Sequence, residues 1–153
     1  MSGEQGPFHG RRPHHVGIVV RDIDRAIAHL EALGFGPFKF DDQHRTFTIP
    51  FKGELHGKPA EWKTTISNAL MGDVELELLE PAEGDQALKE TLNAQGEGLH
   101  HIGWLTTDIQ GDMARAKARG AKVWTSSFPV GNPGFCYFEG SEIGNVAIEL
   151  REP

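Results

Sequence analysis

The chain has 153 residues, is 38% hydrophobic, and carries a formal charge of −7 with a single cysteine. That is one compact domain's worth of material, and no apolar run reaches the roughly 18 residues a membrane span needs. One cysteine excludes an intrachain disulfide and points to a reducing cytoplasm, and the acidic balance argues against a nucleic-acid backbone as partner.

In chain order, residues 1–12 are polar and Gly-rich, and they read as a disordered arm rather than a secretory signal. Residues 16–20 form a β-branched strand. Asp22 then stands at an N-cap, and Ile23, Ala26, Ile27, Leu30 and Leu33 keep helical spacing up to Gly34. Phe38/Phe40 and Phe47/Ile49 alternate as strands do, whereas residues 50–62, with Gly53, Gly57 and Pro59, read as an irregular loop. Residues 63–70 and 74–79 form a hairpin about Met71-Gly72-Asp73.

A linker helix follows over residues 83–96, capped by Asp85, with Leu88 and Leu92 as its apolar pair and Gly96 as its stop. Residues 99–106 make a strand, and Asp108 caps a helix carrying Ile109, Met113 and Ala116 that ends at Gly120. Strands follow over residues 121–125, 135–138 and 146–150, and the loop 129–134 edges a pocket.

The two halves repeat. His14-His15-Val16-Gly17 matches His100-His101-Ile102-Gly103 at an offset of 86, which also carries Asp22-Ile23 onto Asp108-Ile109 and Gly34 onto Gly120. Glu77-Leu78-Leu79-Glu80-Pro81 matches Glu149-Leu150-Arg151-Glu152-Pro153 at an offset of 72. The chain is therefore two tandem βαβββ modules, residues 13–82 and 97–153, in an α+β fold.

Strand side chains alternate faces. Val16, Ile18, Leu76, Leu78, Ile148 and Leu150 point to the helices, which puts His15, Glu77, His101 and Glu149 on the opposite face. A strand histidine is commonly a packed side chain, and a strand glutamate commonly marks a solvated face. Against that reading stands the register of two His–Glu pairs with an internal duplication, a donor set suited to a first-row divalent metal.

The segments HHVGIVVRDIDRA, ELELLEP, GEGLHHIGW and VAIELREP resemble the vicinal oxygen chelate superfamily of glyoxalase I, methylmalonyl-CoA epimerase, extradiol dioxygenases and bleomycin-resistance proteins. The resemblance runs from His14 onward and is nearest to the epimerases. It implies a half-open, eight-stranded barrel-like cavity, a homodimer, and one divalent ion (Co, Ni, Zn, Mn or Fe) on His15, Glu77, His101 and Glu149. It also implies a metal-dependent isomerase, epimerase or lyase that removes a proton α to a carbonyl, with Glu149 as base and a small-molecule substrate such as a CoA thioester. A glyoxalase I-like lyase, an Fe(II) extradiol-type dioxygenase and a non-catalytic bleomycin-resistance-like binder are the alternatives. Glu77 argues against the dioxygenase, and the complete tetrad against the binder.

The epimerases carry a second catalytic carboxylate on the strand before the Glu77 strand. Residues 63–70 hold no acid, and Glu61 lies at the loop edge. Lys52, Lys58, Lys63 and Arg151 are candidates for the phosphates of CoA, and Trp104, Phe135 and Tyr137 for lining or closing the cavity. His100 is expected on the face away from the site, and Cys136 is expected to be inert.

Overall fold

The computed structural model describes residues 5–153. In chain order the elements are β1 (His15–Val19), α1 (Ile23–Ala32), β2 (Phe47–Leu55), β3 (Lys58–Met71), β4 (Val74–Glu83), α2 (Ala87–Gln95), β5 (Gly98–Leu105), α3 (Ile109–Ala118), β6 (Val123–Ser127), β7 (Phe135–Phe138) and β8 (Ala147–Arg151). Two of the three predicted caps form: Asp22 accepts from the Arg25 N–H and Asp108 from the Gly111 N–H, satisfying donors that a helix start leaves unpaired. Gly34 and Gly120 each take φ of +96° just past the helices, where a side chain would be strained.

The eight strands close into a ring in the order β1-β4-β3-β2-β6-β7-β8-β5. The first half of the chain supplies one run of four strands and the second half the other. β1/β4 and β5/β8 are parallel and all other neighbours antiparallel. The ring is closed rather than half-open, but its β2–β6 seam is short, with Glu54 opposite Ser126 and Leu55 opposite Thr125. Gly53 permits that approach, since a Cβ there would lie 2.0 Å from the Ser126 carbonyl oxygen.

Gly53 therefore marks a close crossing and not a loop. Residues 50–62, expected to be irregular, belong to the long β2–β3 hairpin, which turns at His56 (φ +52°) and Gly57 (φ +76°). Pro50 is tolerated because β2 pairs on one side only at that point. Two further expectations fail. Residues 38–40 form no strand, only a single bridge from Lys39 to Asn68. The linker helix starts after Gln86 rather than at Asp85, because the buried Gln86 side chain is held by Thr64 and by the carbonyls of Lys63 and Glu83.

Helix α1 covers the outside of the first half, with Ile23 and Ile27 against Val20, Leu76 and Leu78. Helix α3 covers the second, with Ile109 and Ala116 against Cys136, Phe138 and Leu150. Burial pushes the Cys136 thiol up to about 12, so no thiolate forms near neutral pH. Helix α2 packs Leu88 and Leu92 on Val19, Ile66 and Leu79 and so forms part of the interior wall.

Of the arm expected to be disordered, residues 1–4 lie outside the described residues, and Phe8 and Arg11 dock the following stretch on the second half. Phe8 meets Trp104 edge-on at 5.1 Å. Arg11 pairs with Asp112 at 2.8 Å and donates to the Leu105 carbonyl, and Trp104 donates back to the Arg11 carbonyl. That packing removes Trp104 from the cavity it was expected to line. Among the described residues no helix is long and apolar enough to cross a membrane.

Candidate metal centre

The register of four strands assembles the site. Gly17 of β1 stands between Glu77 of β4 and His101 of β5. Gly103 of β5 stands between His15 of β1 and Glu149 of β8. A Cβ on Gly17 would lie 2.1 Å from Cε1 of His101, and one on Gly103 2.0 Å from Cε1 of His15. Each glycine leaves the space into which the opposing imidazole leans.

All four residues are buried, and one ligand atom from each lies within 4.8 Å of every other. His15 Nε2 is 2.5 Å and His101 Nε2 3.0 Å from Oε2 of Glu149, and His101 Nε2 is 3.4 Å from Oε1 of Glu77. The residues fit a divalent cation. Two imidazole nitrogens and two carboxylates converge with a net charge that a 2+ ion balances. The buried Nε2 of His101 also has no hydrogen-bond partner, a condition a native site rarely leaves uncorrected.

The charges inside the cluster hold one another. Burial opposes ionisation of Glu149, but the charge of His101 close by at 3.0 Å and the hydrogen bond with His15 outweigh it, keeping the carboxyl well below its usual range. Burial likewise opposes a charged His101, and Glu149 and Glu77 override it, raising its pKa to about 9. Glu77 is lowered against its burial by His101 and His15.

The histidines that precede His15 and His101 also touch the cluster, a contact that strand alternation did not lead one to expect. Nδ1 of His14 is 3.0 Å from Nδ1 of His15, and Nδ1 of His100 is 2.9 Å from Nδ1 of His101. A lone pair free on Nε2 of His15 or His101 would require the proton on its Nδ1, where the neighbouring ring is placed to accept it. His100 suits that role: burial and the adjacent His101 charge push it down to about 3, so it stays neutral and accepts. His14 is lowered by burial and by Arg151. The duplicated His-His carried this signal, which strand alternation alone discarded.

A cavity of about 830 Å³ opens from the cluster. Alternate residues of β3 face it, namely Trp62, Thr64, Ile66 and Asn68, as do Phe135 and Tyr137 of β7 and Pro129, Asn132 and Pro133 of the loop expected to edge it. Asn68 is opposite Glu77 and Tyr137 opposite Glu149 across their strand pairs. Tyr137 stacks on His101 at 4.8 Å, and Oδ1 of Asn68 is buried with no partner. Arg151 lines the cavity and donates to Oε2 of Glu77 at 3.3 Å. Glu61 does not reach it: its side chain is 74% exposed and lies 3.8 Å from Lys52. Glu75 does, half-buried two residues before Glu77 and 4.0 Å from Nε2 of His14.

Residues 14–138 match the family model of the Glyoxalase/Bleomycin resistance protein/Dioxygenase superfamily. Uncharacterized protein YqjC of Bacillus subtilis (strain 168) is 27% identical over 130 residues, which is 81% of this chain and 91% of that protein. A hypothetical protein from Bacillus halodurans superposes with a TM-score of 0.63 at 18% identity, covering 94% of this chain and 95% of that one. Streptomyces coelicolor methylmalonyl-CoA epimerase in complex with 2-nitronate-propionyl-CoA gives a TM-score of 0.58 at 25% identity, covering 93% and 96%.

Proposed function

This chain belongs to the glyoxalase/bleomycin resistance protein/dioxygenase superfamily, and on that premise we propose that it is a divalent-metal-dependent enzyme that removes a proton α to a carbonyl, an isomerase or epimerase or a lyase. The observation that carries this reading is the buried convergence of His15, Glu77, His101 and Glu149 at the end of a substrate-sized cavity. A divalent ion bound there would act as a Lewis acid, stabilising charge that develops on a carbonyl oxygen.

The chain's own residues supply the rest. Glu149 is held ionised, so its carboxylate accepts the α-proton without first losing one of its own. His14 and His100 fix the rings of His15 and His101 through their Nδ1 contacts. Arg151 lies against Glu77 and keeps a positive charge at the cavity floor. Glu75, the cavity-lining carboxylate next to the cluster, stands as the second proton carrier that an epimerase needs and that residues 63–70 lack. The aromatic and apolar walls keep water from the reacting proton.

Methylmalonyl-CoA enters the test as one substrate of this reaction class because the Streptomyces coelicolor neighbour holds 2-nitronate-propionyl-CoA, and the resemblance implies a homodimer, which light scattering tests. The deciding experiment follows α-proton exchange by NMR in D₂O with the Co²⁺-loaded protein, over methylmalonyl-CoA, a hemithioacetal and an aryl 2-oxo acid. Rapid loss of an α-proton signal, absent in Glu149→Gln, supports the reading. Stoichiometric metal with no exchange on any of these substrates overturns it.

A further inference from the structure

The cavity's walls differ from what a CoA thioester requires. The phosphates of CoA call for clustered cations, yet among the described residues the cavity-lining side chains include one cation, Arg151, and four carboxylates, Glu75, Glu77, Glu149 and Glu152. No lysine lines it. Lys52 lies 3.8 Å from Glu61 and Lys63 3.2 Å from Glu83, both outside the lining.

What the cavity offers instead is aromatic surface continuous with the metal cluster. Tyr137 stacks on His101 at 4.8 Å, and Phe135 follows Tyr137 at 5.2 Å. Phe135 then stands edge-on to Phe51 at 5.5 Å and to Trp62 at 6.5 Å. Phe51 and Trp62 lie nearly parallel, with ring centroids 5.6 Å apart. A second stacked pair, Phe40 and Phe47, lines the same cavity. A flat ring entering here meets both ring faces and ring edges, the two geometries that aromatic pairs prefer.

We infer that the site takes a compact, ring-bearing carbonyl compound without a polyphosphate, with its oxygens toward the His15–Glu77–His101–Glu149 cluster and its ring against Phe51, Trp62 and Phe135. The inference rests on the proposed reading of this cavity as the substrate chamber of that cluster. Asn68, whose Oδ1 has no partner, and Arg151 are polar groups of the lining placed to meet a substrate oxygen or carboxylate beside Glu77.

The test measures binding, so its outcome does not depend on turnover. Phenylacetohydroxamate and acetohydroxamate present the same pair of chelating oxygens and differ in the ring. Both are titrated into the Co²⁺-loaded protein by its visible spectrum, and phenylacetate and acetate into chelator-treated protein by tryptophan fluorescence. The expected result is about 30-fold tighter binding of the ring-bearing partner in at least one pair. That preference should shrink to about threefold or less in Trp62→Leu and Phe135→Leu, and millimolar coenzyme A should not displace the probe. Equal affinities in both pairs, or displacement by coenzyme A, overturn the inference. A ring preference without α-proton exchange on any substrate supports the wall's assignment while sinking the proton-transfer reading, so the two failures are distinguishable.

Discussion

Gly17 and His101 face each other across β1 and β5, with no room for a methyl group between them: a Cβ on Gly17 would stand 2.1 Å from the imidazole Cε1. Gly103 and His15 repeat the relationship 86 residues later in register. Gly17→Ala and Gly103→Ala should therefore each displace the opposing imidazole, cost about 1–3 kcal/mol of stability through overpacking, and lower Co²⁺ affinity by at least about 100-fold. Metal titration beside urea denaturation checks this. Unchanged metal affinity in both variants would show that the histidines are not held by these gaps.

His100→Phe keeps the packing on Trp124 and Tyr137 but removes the acceptor for Nδ1–H of His101. Metal affinity should fall about 10–100-fold, the usual effect of losing such a partner, and His100→Asn should recover part of the loss. A fall in thermal stability of the metal-free form with metal affinity intact would assign His100 a packing role alone.

A metal competes with the proton on His101. With that pKa raised to about 9, affinity should climb by up to about tenfold per pH unit and level off near pH 9, with about one proton released per ion below it. Calorimetry in buffers of different ionisation enthalpy counts that proton. Linkage gives a companion sign for chelator-treated protein. Because the folded pKa lies above the ordinary 6.5, the stabilisation from charged His101 is fully present below about pH 6.5 and is lost as pH rises through about 9. Denaturation midpoints that rise over this window would contradict the arrangement.

Glu149→Gln and Glu75→Gln should separate two proton transfers. The first removes the base and abolishes α-proton exchange, a loss of about 100-fold or more. The second leaves exchange within about tenfold of the parent while slowing inversion of configuration, if the substrate is epimerised. Both are read from one NMR time course alongside chiral analysis. Full inversion in Glu75→Gln would remove Glu75 from the chemistry.

Much of this was readable in the chain because alternation and capping are local. The period-2 pattern of 76–78 and 148–150 assigned faces without knowledge of the partner strands, and Asp22 and Asp108 announced their helices because a cap acts on the next three residues. The hairpin of residues 47–71 escaped because Gly53 and Pro50 look like loop residues. Their reasons are a crossing by β6 and an unpaired strand edge, both made by segments about 70 residues away. Phe8 and Arg11 escaped in the same way, since a polar arm gives no sign of the Trp104 and Asp112 it docks on.

The sequence by itself determined the duplication, the α+β class and the shared face of His15, Glu77, His101 and Glu149, because a repeated pattern must fold twice into the same unit and place equivalent residues equivalently. Only the tertiary structure decided that these four atoms converge, that Glu61 is excluded while Glu75, Asn68 and Arg151 face the cavity, and that its walls are aromatic. Those facts depend on register between strands distant in the chain, which side-chain periodicity cannot encode.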